Sequence, residues 1–139
     1  MTDSLRQAEV TVVAPFFDID SVGIVWHGHY AKYFELARCA LLDSFGYGYD
    51  AMRASGFIWP IIDLRVRYVK PVRFGQKIIV RATLREWETR LLIDYLVTDA
   101  ASGQRLTKGQ TSQVAVDAKT GEMCFASPPA LLERLELTP

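Results

Sequence analysis

The chain has 139 residues, the length of one domain, and half of them are apolar, enough for a single core. Its 16 Lys and Arg balance 16 Asp and Glu, which argues against a nucleic-acid or anionic-membrane binder. No apolar run reaches the length of a membrane span, the first residues carry no signal core, and Cys39 and Cys124 form no Cys-x-x-Cys motif, so a cytoplasmic, unexported chain with two free thiols is expected. Residues 8–14 alternate, with Val10 and Val12 opposite Glu9 and Thr11, and predict a first strand that Pro15 ends. Residues 16–25 read as an irregular loop carrying Asp18, Asp20 and Gly23. From about His27 the period changes: Tyr30, Tyr33, Phe34, Ala37, Leu41 and Phe45 recur at helical spacing up to Gly46. Glu35 and Arg38 are spaced to pair on that helix.

A short helical piece over 49–55 is expected next, and alternation follows. Ile62, Leu64, Val66 and Tyr68 oppose Asp63, Arg65 and Arg67; Ile78, Val80, Ala82 and Leu84 form a second set, and Leu91, Ile93, Tyr95 and Val97 a third. Ser102-Gly103 marks a hairpin turn before one long polar strand over 104–117, and residues 128–135 suggest a terminal helix. The helix's apolar stripe is wide, so one antiparallel sheet is expected to cover it. The chain therefore reads as one α+β domain over residues 1–139, with a curved antiparallel sheet around a long central helix, a hotdog-like arrangement.

The stretch from Asp18 to Tyr30 carries the chemistry. Two carboxylates lie in a loop, Gly23 allows a sharp path, and a helix begins. A helix N-terminus has unpaired N–H groups and partial positive charge, which can polarise a carbonyl such as a thioester's and stabilise the oxyanion formed from it. A carboxylate a few residues earlier can reach the same carbon as nucleophile or as base for water. The plainer reading of Asp18 and Asp20 is that they cap and shape the loop. A metal held by His27, His29 and the aspartates is a weak rival, because two histidines two positions apart on a helix diverge and no Cys or Glu completes a ligand set.

The same residues match a family. The set Asp18, Asp20, Gly23, Val25-Trp26-His27, Tyr30 and Tyr33-Phe34-Glu35-Leu36-Ala37-Arg38 resembles the 4-hydroxybenzoyl-CoA thioesterase-like and YbgC-like branch of the hotdog superfamily. The later strand pattern extends the resemblance over most of the chain. It implies hydrolysis of an acyl-CoA or acyl-carrier-protein thioester, no cofactor and no metal, and a homodimer or homotetramer. Carried across, the catalytic carboxylate falls on Asp20 and the oxyanion N–H on His27, with Gly23 and Val25 leading to it. Asp18 is expected to hold the loop. Ile19, Phe16 and Phe17 depart from the usual pattern.

For the acyl group, Trp26, Phe45, Tyr47, Phe57, Trp59 and Tyr68 are available, Trp26, Tyr30 and Trp59 are taken as substrate contacts, and Arg90, in the turn the resemblance points to, is a candidate nucleotide contact. The basic middle of the chain, Arg65 to Arg90, would attract a CoA nucleotide or an acidic carrier helix. A hotdog dehydratase, or an acyl-binding module without turnover, are the rival readings.

Overall fold

A computed structural model describes residues 6–137. The elements run β1 (Gln7–Val13), a 3-10 turn (Phe16–Asp18), a second 3-10 turn (His27–His29), α1 (Tyr30–Ser44), α2 (Tyr49–Ala54), β2 (Phe57–Ile58), β3 (Ile61–Tyr68), β4 (Lys77–Glu86), β5 (Leu91–Asp99), β6 (Arg105–Gln113), β7 (Val116–Asp117) and α3 (Pro129–Leu137). Five strands form one antiparallel sheet in the order β1-β4-β5-β6-β3, and β2 pairs with β7 beside it. The helix α1 lies against β1, β4 and β5 on one face. This is the α+β arrangement that the periodicities predict.

The packing follows from the patterns. On β4 and β5 every second residue is buried: Ile78, Val80, Ala82, Leu84, Leu91, Ile93, Tyr95 and Val97. They meet Tyr30, Tyr33, Phe34, Ala37, Leu41 and Leu42 from α1. Each such large side chain contributes about 1.5–3 kcal/mol by leaving water. The Phe34 ring stacks on Tyr95 with centroids 4.5 Å apart and also lies over Gly109 of β6, where a Cβ would collide with it. The glycine is needed there for close approach of helix to strand.

Two expectations are corrected. The single strand over 104–117 is two, β6 and β7, with Val114 and Ala115 between them, because β7 leaves the main sheet to pair with β2. The alternation on β3 does not bury its apolar set: Ile62 is 56%, Leu64 45% and Tyr68 48% exposed. The reason is position, since β3 is an edge strand and α1 packs toward the other side of the sheet. Among the described residues no helix is long and apolar enough to cross a membrane, and no cluster of three metal-ligating side chains is present.

Candidate active site

The loop between β1 and α1 is built by its own backbone. Asp20 N–H donates to Ile24 O (2.9 Å) and Gly23 N–H to Asp20 O (3.0 Å), with Gly23 at φ 91°, in the left-handed region that suits glycine. The loop is tied to the body by Val25 N–H to Val72 O (2.8 Å) and Trp26 N–H to Asp18 O (3.0 Å). His27–His29 then form a 3-10 turn heading α1, so the helical segment opens where the sequence placed it, with a tighter first turn.

The two aspartates sit in different surroundings. Asp18 is 1% exposed, and its carboxylate accepts from Lys32 Nζ and Tyr33 Oη, both at 2.6 Å, with His29 Nε2 at 3.9 Å. Burial pushes its pKa up, but the hydrogen bonds from Lys32 and Tyr33 and the charges of Lys32 and His29 outweigh that and hold it below the ordinary value. The same contact raises the Tyr33 phenol, burial being the larger cause. Asp20 is half-buried, and its Oδ1 accepts from Val22 N–H (2.9 Å) and, at longer range, Ile24 N–H (3.5 Å), both from its own loop.

Asp20, Ile24, Val25, His27, Tyr30 and Tyr68 line one cavity of about 270 Å³ together with Val69, Lys70 and Pro71. The loop carboxylate and the head of the helical segment thus face a common space. The N–H groups of His27 and Gly28 open that segment, where a helix's first donors have no intrahelical acceptor. Tyr68 donates its hydroxyl to His27 O at 2.6 Å and sets its ring edge-on to Tyr30 at 5.1 Å, which fixes the peptide plane after His27.

The sequence-predicted residues divide. Asp20, Val25, His27 and Tyr30 meet in the cavity. Gly23 shapes the turn behind it, and Trp26 is 46% exposed, its ring against His27 and His29 and over Gly28. Trp59 lies elsewhere: it is 5% exposed in the core, its indole N–H donates to Tyr47 Oη (3.3 Å), and its carbonyl accepts from Gln113 (2.8 Å). Arg90 is occupied by Glu86 at 2.8 Å and does not line the cavity. Lys70, which also lines the cavity, belongs to the basic stretch of the sequence, and only the fold brings it beside Asp20. Arg38 is likewise more than a helix-surface partner of Glu35 (3.4 Å): it is buried and donates to Tyr49 Oη (2.8 Å) and Tyr95 Oη (3.2 Å).

A family model described as the thioesterase-like superfamily matches residues 14–135. A Bacillus subtilis (strain 168) protein named "Putative acyl-CoA thioesterase YneP" is 26% identical over 106 residues, covering 76% of each chain. The Arabidopsis thaliana acyl-acyl carrier protein thioesterase ATL3, chloroplastic, is 25% identical over 112 residues, covering 80% of this chain and 59% of that one. The crystal structure of a DHNA-CoA thioesterase from Staphylococcus aureus superposes with a TM-score of 0.83 at 25% identity, over 94% of this chain and 89% of that one.

Proposed function

We propose, from the premise that this chain belongs to the thioesterase-like superfamily and has its hotdog fold, that it hydrolyses acyl-CoA thioesters in the cavity between Asp20 and the head of α1. The observation that carries the reading is that cavity: it joins a carboxylate held only by N–H groups of its own loop to the first turn of a helix. Asp20 acts either as the base that takes a proton from water or as the nucleophile itself. In the first route the water oxygen bonds to the thioester carbon, and the carbonyl oxygen becomes an oxyanion held by the His27 N–H. The C–S bond then breaks, and the leaving thiolate, a stable anion, needs no strong general acid. Val25 and Tyr30 form the cavity wall beside the reacting carbon, Gly23 lets the loop reach it, and Trp26 covers the helix head at Gly28. Trp59 and Arg90 lie off the cavity and have no part in it within one chain.

A homodimer or homotetramer belongs to the proposal. The edge of β3 carries unpaired backbone groups and exposes Ile61, Ile62, Leu64, Tyr68 and Val69, an edge that a second copy can extend. Tyr68 lies both on that edge and in the cavity, so assembly and site share a residue. A cytoplasmic location is proposed from the same reading.

Thiol release measured across a panel of acyl-CoA substrates, with the matching acyl-carrier-protein thioesters alongside, tests the activity and its carrier together. Turnover of at least one acyl-CoA is expected. Dehydration of a hydroxyacyl-CoA without thiol release would move the reading to a dehydratase, and binding without turnover to an acyl-binding module.

A further inference from the structure

The surface cations of the sheet fall into two groups. Arg65, Arg81, Arg85 and Arg90 each stand close to a carboxylate: Asp63 (3.3 Å), Glu9 (2.7 Å), Asp94 (3.2 Å) and Glu86 (2.8 Å). Arg67, Lys70, Lys77, Arg105 and Lys108 have no carboxylate within ion-pair distance among the described residues. Four of them, Arg67, Lys70, Arg105 and Lys108, belong to β3, the segment after it and β6. Arg67 of β3 is directly opposite Lys108 of β6 in the ladder, a like-charge pair that costs stability. Arg105 opens β6, and the next residue's carbonyl, Leu106 O, accepts from both Val69 and Lys70 N–H at 2.9 Å. These two hydrogen bonds hold the segment after β3, whose Lys70 lines the Asp20 cavity, against the start of β6.

Three of these cations, Arg67, Arg105 and Lys108, line a groove of about 570 Å³ on the sheet face away from α1. The groove's carboxylate, Asp94, is already engaged by Gln110 (2.8 Å) and Arg85 (3.2 Å). Unpaired cations therefore line both the Asp20 cavity, at Lys70, and a groove of small-ligand size, at Arg67, Arg105 and Lys108, in a chain with no net charge.

Resting on the reading of the Asp20 cavity as a thioester-hydrolysis site, we propose that this groove holds the nucleotide end of the substrate, with Arg67, Arg105 and Lys108 on the phosphate groups of its 3′-phospho-ADP and Lys70 guiding the arm between groove and cavity. Planar guanidinium forks suit phosphate oxygens, and neutralising them removes the Arg67–Lys108 repulsion. This places the nucleotide away from Arg90, whose charge is held by Glu86.

The test is a paired substrate experiment on an Arg67→Gln/Lys108→Gln variant, both positions being exposed. Wild type and variant are compared on an acyl-CoA and on the same acyl group carried by pantetheine, which has no phosphate. The expected result is a fall of about tenfold or more in kcat/KM for acyl-CoA, through KM, the scale of one lost charge-assisted contact. Turnover of acyl-pantetheine should change less than about twofold, which also shows that the variant is folded. Unchanged kcat/KM for acyl-CoA, an equal fall on both substrates, or a fall confined to an acyl-carrier-protein thioester each overturns the proposal. Failure of the hydrolysis reading looks different, since the wild type then releases thiol from neither substrate. Calorimetric binding of adenosine 3′,5′-bisphosphate then still decides the groove: weaker binding by the variant supports it, and equal or absent binding by both proteins removes it.

Discussion

Asp18 and Asp20 lie two residues apart on one loop, and their surroundings treat the same side chain in opposite ways. Toward the body, Asp18 is closed off from water and tied to Lys32 and Tyr33 of α1, a carboxylate whose bonding capacity goes into holding loop to helix. Toward the cavity, Asp20 meets, among the described residues, only N–H groups of its own loop and keeps the rest of its carboxylate free for whatever enters. The anchored carboxylate makes the free one possible, because a loop fixed at Asp18 presents Asp20 at a constant place beside the helix head. A buried acidic group with two strong donors supports structure, and a half-buried one facing a cavity is available to chemistry.

The comparison breaks most readily at the helix head on the Asp20 side. If His27 contributes its N–H, His27→Ala retains substantial activity, because alanine keeps the donor, whereas His27→Pro loses about 100-fold or more, the scale of one missing oxyanion donor. Steady-state thiol release checks this, with circular dichroism and gel filtration showing that both variants fold and assemble. An alanine variant as inactive as the proline variant would mean that the imidazole itself works, and would raise the dehydratase reading.

On the Asp18 side the effect should appear in stability. Asp18→Asn is expected to cost about 1–3 kcal/mol, because the amide cannot satisfy Lys32 and Tyr33 as the carboxylate does. Urea denaturation measures it, and a loss below about 0.5 kcal/mol would show that the anchor is decorative.

A smaller effect is expected from Tyr68→Phe. It removes the 2.6 Å bond to His27 O and keeps the ring against Tyr30. Loosening the peptide beside the proposed oxyanion donor should lower kcat by about three- to tenfold, within the scale of one hydrogen bond, with KM little changed. A change confined to KM would make Tyr68 a binding residue instead.

The smallest effect is the pH dependence of the anchor. Asp18 titrates below its ordinary value of 3.8 in the folded state. Its contribution is therefore fully present above that value and is lost as pH falls through the lower folded value. The stability difference between wild type and Asp18→Asn should be flat from neutral pH to about 5 and narrow below about 4, the ordinary carboxylate range. A difference that already narrows between pH 7 and 5 would contradict the assignment.

Much of this architecture is legible in the sequence. The helical stripe from Tyr30 to Phe45 and the alternating sets on β4 and β5 are driven by burial, and burial leaves a periodic trace in sequence. Edge strands leave a misleading one: β3 alternates as strictly as β4, yet its apolar set stands half in water, because periodicity reports a face and not what covers it. The break between β6 and β7 was hidden because pairing with β2 is a long-range choice. In the site, the spacing of Asp20, Gly23 and His27 was legible because it is local to one loop. Tyr68, one of the aromatic candidates for the acyl group, and Lys70 line the same cavity although they lie 41 and more residues from His27 in the chain, and only the fold brings them beside Asp20. Trp59 misled for the opposite reason: a tryptophan reads the same whether it lines a pocket or fills a core.

The central claim is that the Asp20 carboxylate acts on the substrate while Asp18 does not. The most direct measurement is single-turnover thiol release by Asp20→Asn, with enzyme in excess over one acyl-CoA that the wild type hydrolyses and the unfolding midpoint recorded on the same preparation. The unfolding midpoint should stay close to wild type, and thiol release should slow by about 100-fold or more, the contribution of a positioned base or nucleophile. Release at a near wild-type rate from the folded variant would contradict it.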